Sequence, residues 1–257
     1  MKKIAQICTI LLGLATNSHA SEITHDFKVF IGPFEASHTT FSYNLTPTSY
    51  KVQSDIKTYG FFNTLYPFSA KYYTDGKIKN NQLETARYHY SSKSRFNRRT
   101  KELVYNDQGI PVYRISSKNE ESKKVKLTDN PKNKGTTDLQ TVLAELTKQY
   151  NEVKFCDSRM QVYDGKRRFD VIFKDEGKEE LRANEHSPYS GLAAKCSMYI
   201  DKLGEKGDDL LWELTSDRPI YFWILEHQNK PFIARVSVKE TPLGRLDVYT
   251  TNVSIKD

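Results

Sequence analysis

Short runs that alternate apolar and polar residues recur along this chain, each bounded by turn-forming residues, and only one segment keeps a helical period. The runs Tyr50 to Ile56, Tyr66 to Tyr73, Leu83 to Tyr90, Lys101 to Tyr105 and Val112 to Ser116 have period two. Asp75-Gly76 and Asn106-Asp107-Gln108-Gly109 read as turns between them. Towards the C-terminus, Arg218 to His227, Pro231 to Lys239 and Gly244 to Ile255 predict a meander turning at Gln228-Asn229-Lys230 and Thr241-Pro242-Leu243-Gly244. Ile220 to Leu225 is apolar at every position, which predicts a central strand covered on both faces or lining a cavity. So many strands at short spacing predict one large antiparallel sheet and a mainly β fold.

The exception is TTDLQTVLAELTKQY. Here Leu139, Val142, Leu143, Leu146 and Tyr150 fall on one face of a helix, and Thr137 with Gln140 makes a candidate capping box. A single amphipathic helix among strands must bury its stripe, and the sheet is the large apolar partner on offer.

Residues 1–20 read as a cleaved secretory signal peptide: Lys2 and Lys3, an apolar core from Ile4 to Leu14, and Ser18-His19-Ala20 before the cut. That core is too short to span a bilayer, and no later segment is long and apolar enough, so an integral membrane protein is not expected. The expected destination is the periplasm, with residues 21–257 as a single β-rich domain. Cleavage removes Cys8 and leaves Cys156 and Cys196, which an oxidising compartment would join as one disulfide; two buried free thiols would suit a reducing cytosol. The net charge falls from +7 to +5 on losing Lys2 and Lys3. A moderately basic exported protein suits anionic lipid, lipopolysaccharide or peptidoglycan surfaces. Much of the excess lies in Lys118, Lys123, Lys124, Lys126, Lys132 and Lys134, a stretch near 117–135 that reads as a solvated basic loop.

The most patterned segment is CDSRMQVYDGKRRFDVIF, Cys156 to Phe173. With Asp164-Gly165 as a two-residue turn, Met160 faces Phe169 and Arg159 faces Asp170. Met160, Val162, Phe169, Val171 and Phe173 then share one face, and Arg159, Gln161, Arg168 and Asp170 the other. Arg167 falls on the apolar face near the turn, where it can reach water or pair with a carboxylate, and a structural pairing is expected over a ligand contact. This is hairpin chemistry. The mature histidines His25, His38, His89, His186 and His227 are scattered, and the chain has no G-x-S-x-G, no H-E-x-x-H, no phosphate-cradling loop and no C-x-x-C. A non-catalytic protein without cofactor, metal or nucleic-acid partner is the expectation.

The succession DLQTVLAELTKQY, C-x6-YDGKRRFDVIF, YSGLAAKCSMYIDKLG and RPIYFWILEHQNKPFIARVSVKETPLGRLDVYTTNVSI resembles the bacterial envelope family catalogued as domain of unknown function 3108. The likeness covers most of the mature chain and is strongest from Asp138 onward. It implies a strongly curved antiparallel sheet, a half-barrel or β-spiral, wrapped around the helix, similar to the outer-membrane lipoprotein carriers and receptors. The leading expectation is a concave sheet that binds an apolar or amphipathic envelope component, a lipid or something lipoprotein-like. Phe61, Phe62, Tyr66, Phe68, Tyr221, Phe222 and Trp223 are the candidate lining, with Tyr59, Tyr72 and Tyr73 enlarging the aromatic supply. The alternative is an envelope-integrity scaffold contacting a protein partner or peptidoglycan.

Overall fold

Among the residues described by the computed structural model, which are 21–127, 133–203, 214–241 and 243–256, fourteen strands pair in one antiparallel sheet. The expected signal peptide with Cys8, Lys132 of the basic stretch and Pro242 of the last turn lie outside them. The first half of the chain gives β1 (Ser21–Ile31), β2 (Phe34–Leu45), β3 (Ser49–Thr58), α1 (Gly60–Leu65), β4 (Phe68–Lys79) and β5 (Gln82–Ser94). It continues through β6 (Arg98–Tyr105), β7 (Pro111–Lys118) and β8 (Glu121–Lys126) to α2 (Leu139–Val153). Then follow β9 (Ser158–Tyr163), β10 (Arg168–Leu181), β11 (Gly191–Lys202), β12 (Ile220–His227), β13 (Lys230–Val238) and β14 (Leu246–Lys256).

The strand order β8-β7-β6-β5-β4-β3-β2-β1-β14-β13-β12-β11-β10-β9 is two meanders joined where the first strand meets the last. The connection through α2 runs from one edge strand, β8, to the other, β9. Laid flat, fourteen strands would be about 62 Å wide, whereas a fifteen-residue helix is about 22 Å long. The sheet instead curls around the helix, and α2 packs against β3, β5, β9 and β13. The two edges draw close: Lys101 Nζ in β6 donates to Asp164 O at 2.7 Å, and Arg114 Nη1 in β7 to Gly165 O at 2.7 Å.

The helix divides the core. Val142, Leu146 and Tyr150 pack with Phe169, Val171, Phe173, Met198 and Phe222 from β10–β12, and with Cys156 and Cys196. Ala144 belongs to a second cluster with Ile23, Phe41, Tyr43, Tyr50 and Val52 from β1–β3, and Leu143 packs against both. Ile220 to Leu225 is the central strand β12, with Phe222, Trp223, Ile224 and Leu225 all buried.

Four local expectations are corrected. The helix cap is Asp138, which accepts hydrogen bonds from Gln140 N and Thr141 N, while Thr137 forms a parallel bridge with Val162 of β9. Asp75-Gly76 lies inside β4, and the hairpin turns four residues beyond Gly76 at Asn80-Asn81, whose φ of 49° and 64° make the left-handed pair a tight turn requires. The basic stretch contains the strand β8, paired in register with β7. The β9–β10 hairpin is offset by two residues: Tyr163 pairs with Arg168, Val162 with Phe169 and Met160 with Val171. The loop is therefore Asp164–Arg167, and because the offset is even, the predicted faces survive.

Candidate functional site

A cavity of about 310 Å³ lies inside the curl, between the first turn of α2, the inner face of β2–β6 and the β9–β10 hairpin. Its walls are Phe41, Ile56, Tyr72, Tyr88, Val162, Tyr163 and Phe169, and its floor is Leu139, Gln140 and Leu143. The helix runs away from it: Glu145 Oε2 accepts from Leu83 N at 3.1 Å, and Lys148 Nζ reaches Asn81 O at 2.6 Å. Leu83 and Asn81 lie at the opposite end of the sheet from α1. Thus α2 runs towards the Asn81 end of the sheet and, among the described residues, the cavity lies at the helix's N-terminal end.

The floor is set by Asp138. Its carboxylate accepts from Thr74 Oγ1 at 3.1 Å, Thr85 Oγ1 at 3.1 Å and Thr141 Oγ1 at 2.7 Å, besides the two capped amides. Tyr50 Oη adds hydrogen bonds to Thr85 at 3.0 Å and Thr141 at 3.1 Å. Burial pushes the Asp138 carboxyl up from its ordinary value, against the pull of these donors. This network ties the start of the helix to β3, β4 and β5. Beside it, both amide atoms of Gln140 are buried without a hydrogen-bond partner.

The rim is the hairpin loop. Asp164 accepts from Lys166 N at 2.8 Å, Arg167 N at 2.7 Å and Arg167 Nε at 2.8 Å. Burial works to raise this carboxyl, but the hydrogen bonds from Arg167 and Lys166 outweigh it and hold it below the usual range. The expected partner of Arg167 is thus its own loop's aspartate, and the guanidinium lines the cavity with Lys101. Gly165, at φ 89°, adopts the left-handed backbone, and a Cβ there would sit 3.2 Å from Arg114 Cδ. Burial raises the Tyr88 and Tyr163 phenols, and pushes Tyr72 to about 12, so the wall hydroxyls stay neutral.

The remaining hairpin residues face elsewhere. Asp170 is buried and bound by Arg159 Nε, while Arg159 Nη2 donates to Asp201 at 2.7 Å, and Arg168 starts β10 half-buried. Cys156 and Cys196 are buried with Cα atoms 6.0 Å apart and their sulfurs at bonding distance, a disulfide-capable pair.

None of the seven aromatic residues expected to line a ligand site lines this cavity. Phe222 and Trp223 belong to the packed core, and Tyr221 stacks under Lys195 and Lys239 at 5.3 and 4.9 Å. Phe61, Phe62, Tyr66 and Phe68 lie in or beside α1, six strands away from β12 in the sheet order. Tyr72 of the wider aromatic supply does line it. Phe41, Ile56 and Tyr88 were missed because their face is known only once β2–β6 are placed opposite α2.

A family model described as "Protein of unknown function (DUF3108)" matches residues 26–250. No curated protein matches the chain. Among solved structures, a β-barrel-like protein of domain of unknown function DUF1849 from Brucella abortus aligns over 93% of this chain and 98% of that one. The two are 9% identical, with a TM-score of 0.48.

Proposed function

The chain belongs to the DUF3108 family of proteins of unknown function, and on that footing we propose that it is a non-catalytic periplasmic binding protein for a single amphipathic molecule. The ligand sits in the cavity inside the curl, with its apolar portion against Phe41, Ile56, Tyr72 and Phe169 and a polar group on the floor. The carrying observation is the apolar cavity itself, walled by Phe41, Ile56, Tyr72, Tyr88 and Phe169. Lys101 and Arg167 at the other end favour an anionic group. The volume lies at the small end of the range for ligand clefts, which suits one acyl chain or a compact amphiphile rather than a whole lipoprotein.

The test is native mass spectrometry of delipidated protein offered fatty acids and lysophospholipids, with a naphthylamine probe in parallel. One equivalent is expected on the native chain. Ser54 of β3 also lines the cavity, and Ser54→Trp, which projects an indole into it, is expected to lose uptake at unchanged circular dichroism. Absence of uptake by the native chain would overturn the reading. A scaffold recruiting a partner by strand addition draws less support: the open edge β8 carries Lys123, Lys124 and Lys126, the residues that discourage such pairing.

A further inference from the structure

None of the six residues of α1 is buried, and no side chain caps it. A helix this short gains little from its own hydrogen bonds. It is nevertheless fixed in place by polar anchors. Tyr59 N donates to Ala36 O at 2.9 Å, Phe68 N to Thr58 Oγ1 at 2.9 Å, and Arg95 Nη2 to Thr64 O at 3.0 Å. The chain thus spends hydrogen bonds on holding apolar side chains in water: Phe61, Leu65 and Tyr66 are 63, 58 and 59% exposed.

The neighbouring turns add to them. Ser37 pairs with Thr58 and Phe68 with Ser94, so the β1–β2, α1 and β5–β6 connections leave the same end of the sheet side by side. Phe34 and Phe96, on the first and third, are 60 and 75% exposed. Single exposed apolar residues are ordinary, but five on three adjacent turns make a patch that wants a partner. Lys57, Lys71, Lys93, Arg95, Arg98 and Arg99 line the two shallow depressions beside it. Of the acids nearby, Asp55 pairs with Lys71 at 3.3 Å and Glu35 with Lys28 at 3.0 Å and with His38, while Glu120 and Glu121 stand on the adjoining β7–β8 turn and leave the basic residues in excess.

We propose that α1 and these turns dock the protein on the anionic face of a phospholipid bilayer. The aromatic and aliphatic side chains enter the interfacial layer, and the surrounding cations meet the lipid phosphates. An apolar patch bordered by an excess of Lys and Arg fits that surface in both polarity and sign. The cavity wall is carried by β3 and β4, the two strands that run directly into α1, so docking brings the cavity to the lipid. That last step rests on the proposed ligand reading; the docking does not.

The experiment is flotation with vesicles of phosphatidylethanolamine and phosphatidylglycerol, compared with phosphatidylcholine alone. Binding is expected to the anionic vesicles, weakening as salt rises from about 50 to about 500 mM. The variant Phe61→Ser/Leu65→Ser/Tyr66→Ser is expected to lose about tenfold in affinity, and Arg95→Gln/Arg98→Gln/Arg99→Gln to lose the salt-dependent part. Both alter exposed positions, and an unchanged circular dichroism spectrum and denaturant midpoint report that the variants are folded. Ser54→Trp is expected to float like the native protein, which separates docking from cavity uptake. Equal binding to neutral vesicles, full binding by the serine variant, or loss of binding in Ser54→Trp would each overturn the proposal.

Discussion

His25 is fully buried in β1 with neither ring nitrogen hydrogen-bonded, enclosed by Phe27, Phe41, Tyr43 and Phe232 at centroid distances of 5.7, 6.1, 5.9 and 6.2 Å. Burial pulls its pKa down from 6.5 to about 4, with the neighbouring Asp26 charge opposing weakly. The folded protein therefore refuses a proton that the unfolded chain accepts. Stability is complete above pH 6.5 and is lost as pH falls towards 4, by about 3 kcal/mol from this group. Urea titrations at intervals between pH 7 and pH 4 should show that decline in the native protein and a shallower one in His25→Leu. Equal slopes would mean that the imidazole finds water in the folded state. The sequence offered no sign of this residue, because its enclosure is built by Phe41 and Phe232, remote along the chain. Gly76 misleads for the same reason. Asp-Gly reads as a turn, but a Cβ at Gly76 would lie 2.5 Å from Tyr50 Cε1 and 2.1 Å from Glu84 O, so this glycine gives clearance to a ring inside a strand.

At the scale of elements, periodicity was informative, while punctuation held at Asn106-Asp107-Gln108-Gly109 and Gln228-Asn229 and failed at Asp75-Gly76. Val142, Leu146 and Tyr150 face the core as their spacing predicts, because a stripe of that width can be buried only one way. The cap moved by one residue because Thr137 is taken by β9: its N donates to Gln161 O at 2.8 Å and its carbonyl accepts Tyr163 N at 3.0 Å. Asp138 then serves as both cap and anchor. Asp138→Ala is expected to cost about 3 kcal/mol, more than an ordinary cap, since the Thr74, Thr85 and Thr141 hydroxyls lose their acceptor in a buried setting. Asp138→Asn should recover part of that cost, read as the shift in denaturant midpoint at constant m-value. A cost below about 1 kcal/mol would show that the network relaxes onto other acceptors. The β9–β10 hairpin makes the complementary point: alternation identified its faces, but loop length set the partners, and a four-residue loop held by the Asp164 carboxylate looks locally like the familiar two-residue one.

For the whole molecule, local pattern announces strands but not which ends of the chain meet. That β1 should pair with β14 follows from no short-range signal, yet it joins the two meanders into one surface. The curl itself was expected from resemblance, and its physical cause is the edge-to-edge passage of α2. Cys156 leads into β9 and Cys196 sits in β11, so a bond between them staples the last strands of the curl across β10. Closing a 40-residue loop is worth about 3–4 kcal/mol. Cys156→Ala/Cys196→Ala should unfold at correspondingly lower denaturant with its β-sheet circular dichroism intact, while native protein should show neither cysteine reactive to a thiol reagent. With α2 stopping one end of the interior, the remaining space is a blind alley. On the proposed ligand reading, a second molecule would find the far end of that space taken by the helix. Exchange would then wait on the departure of the first guest, and one passenger at a time would be the rule.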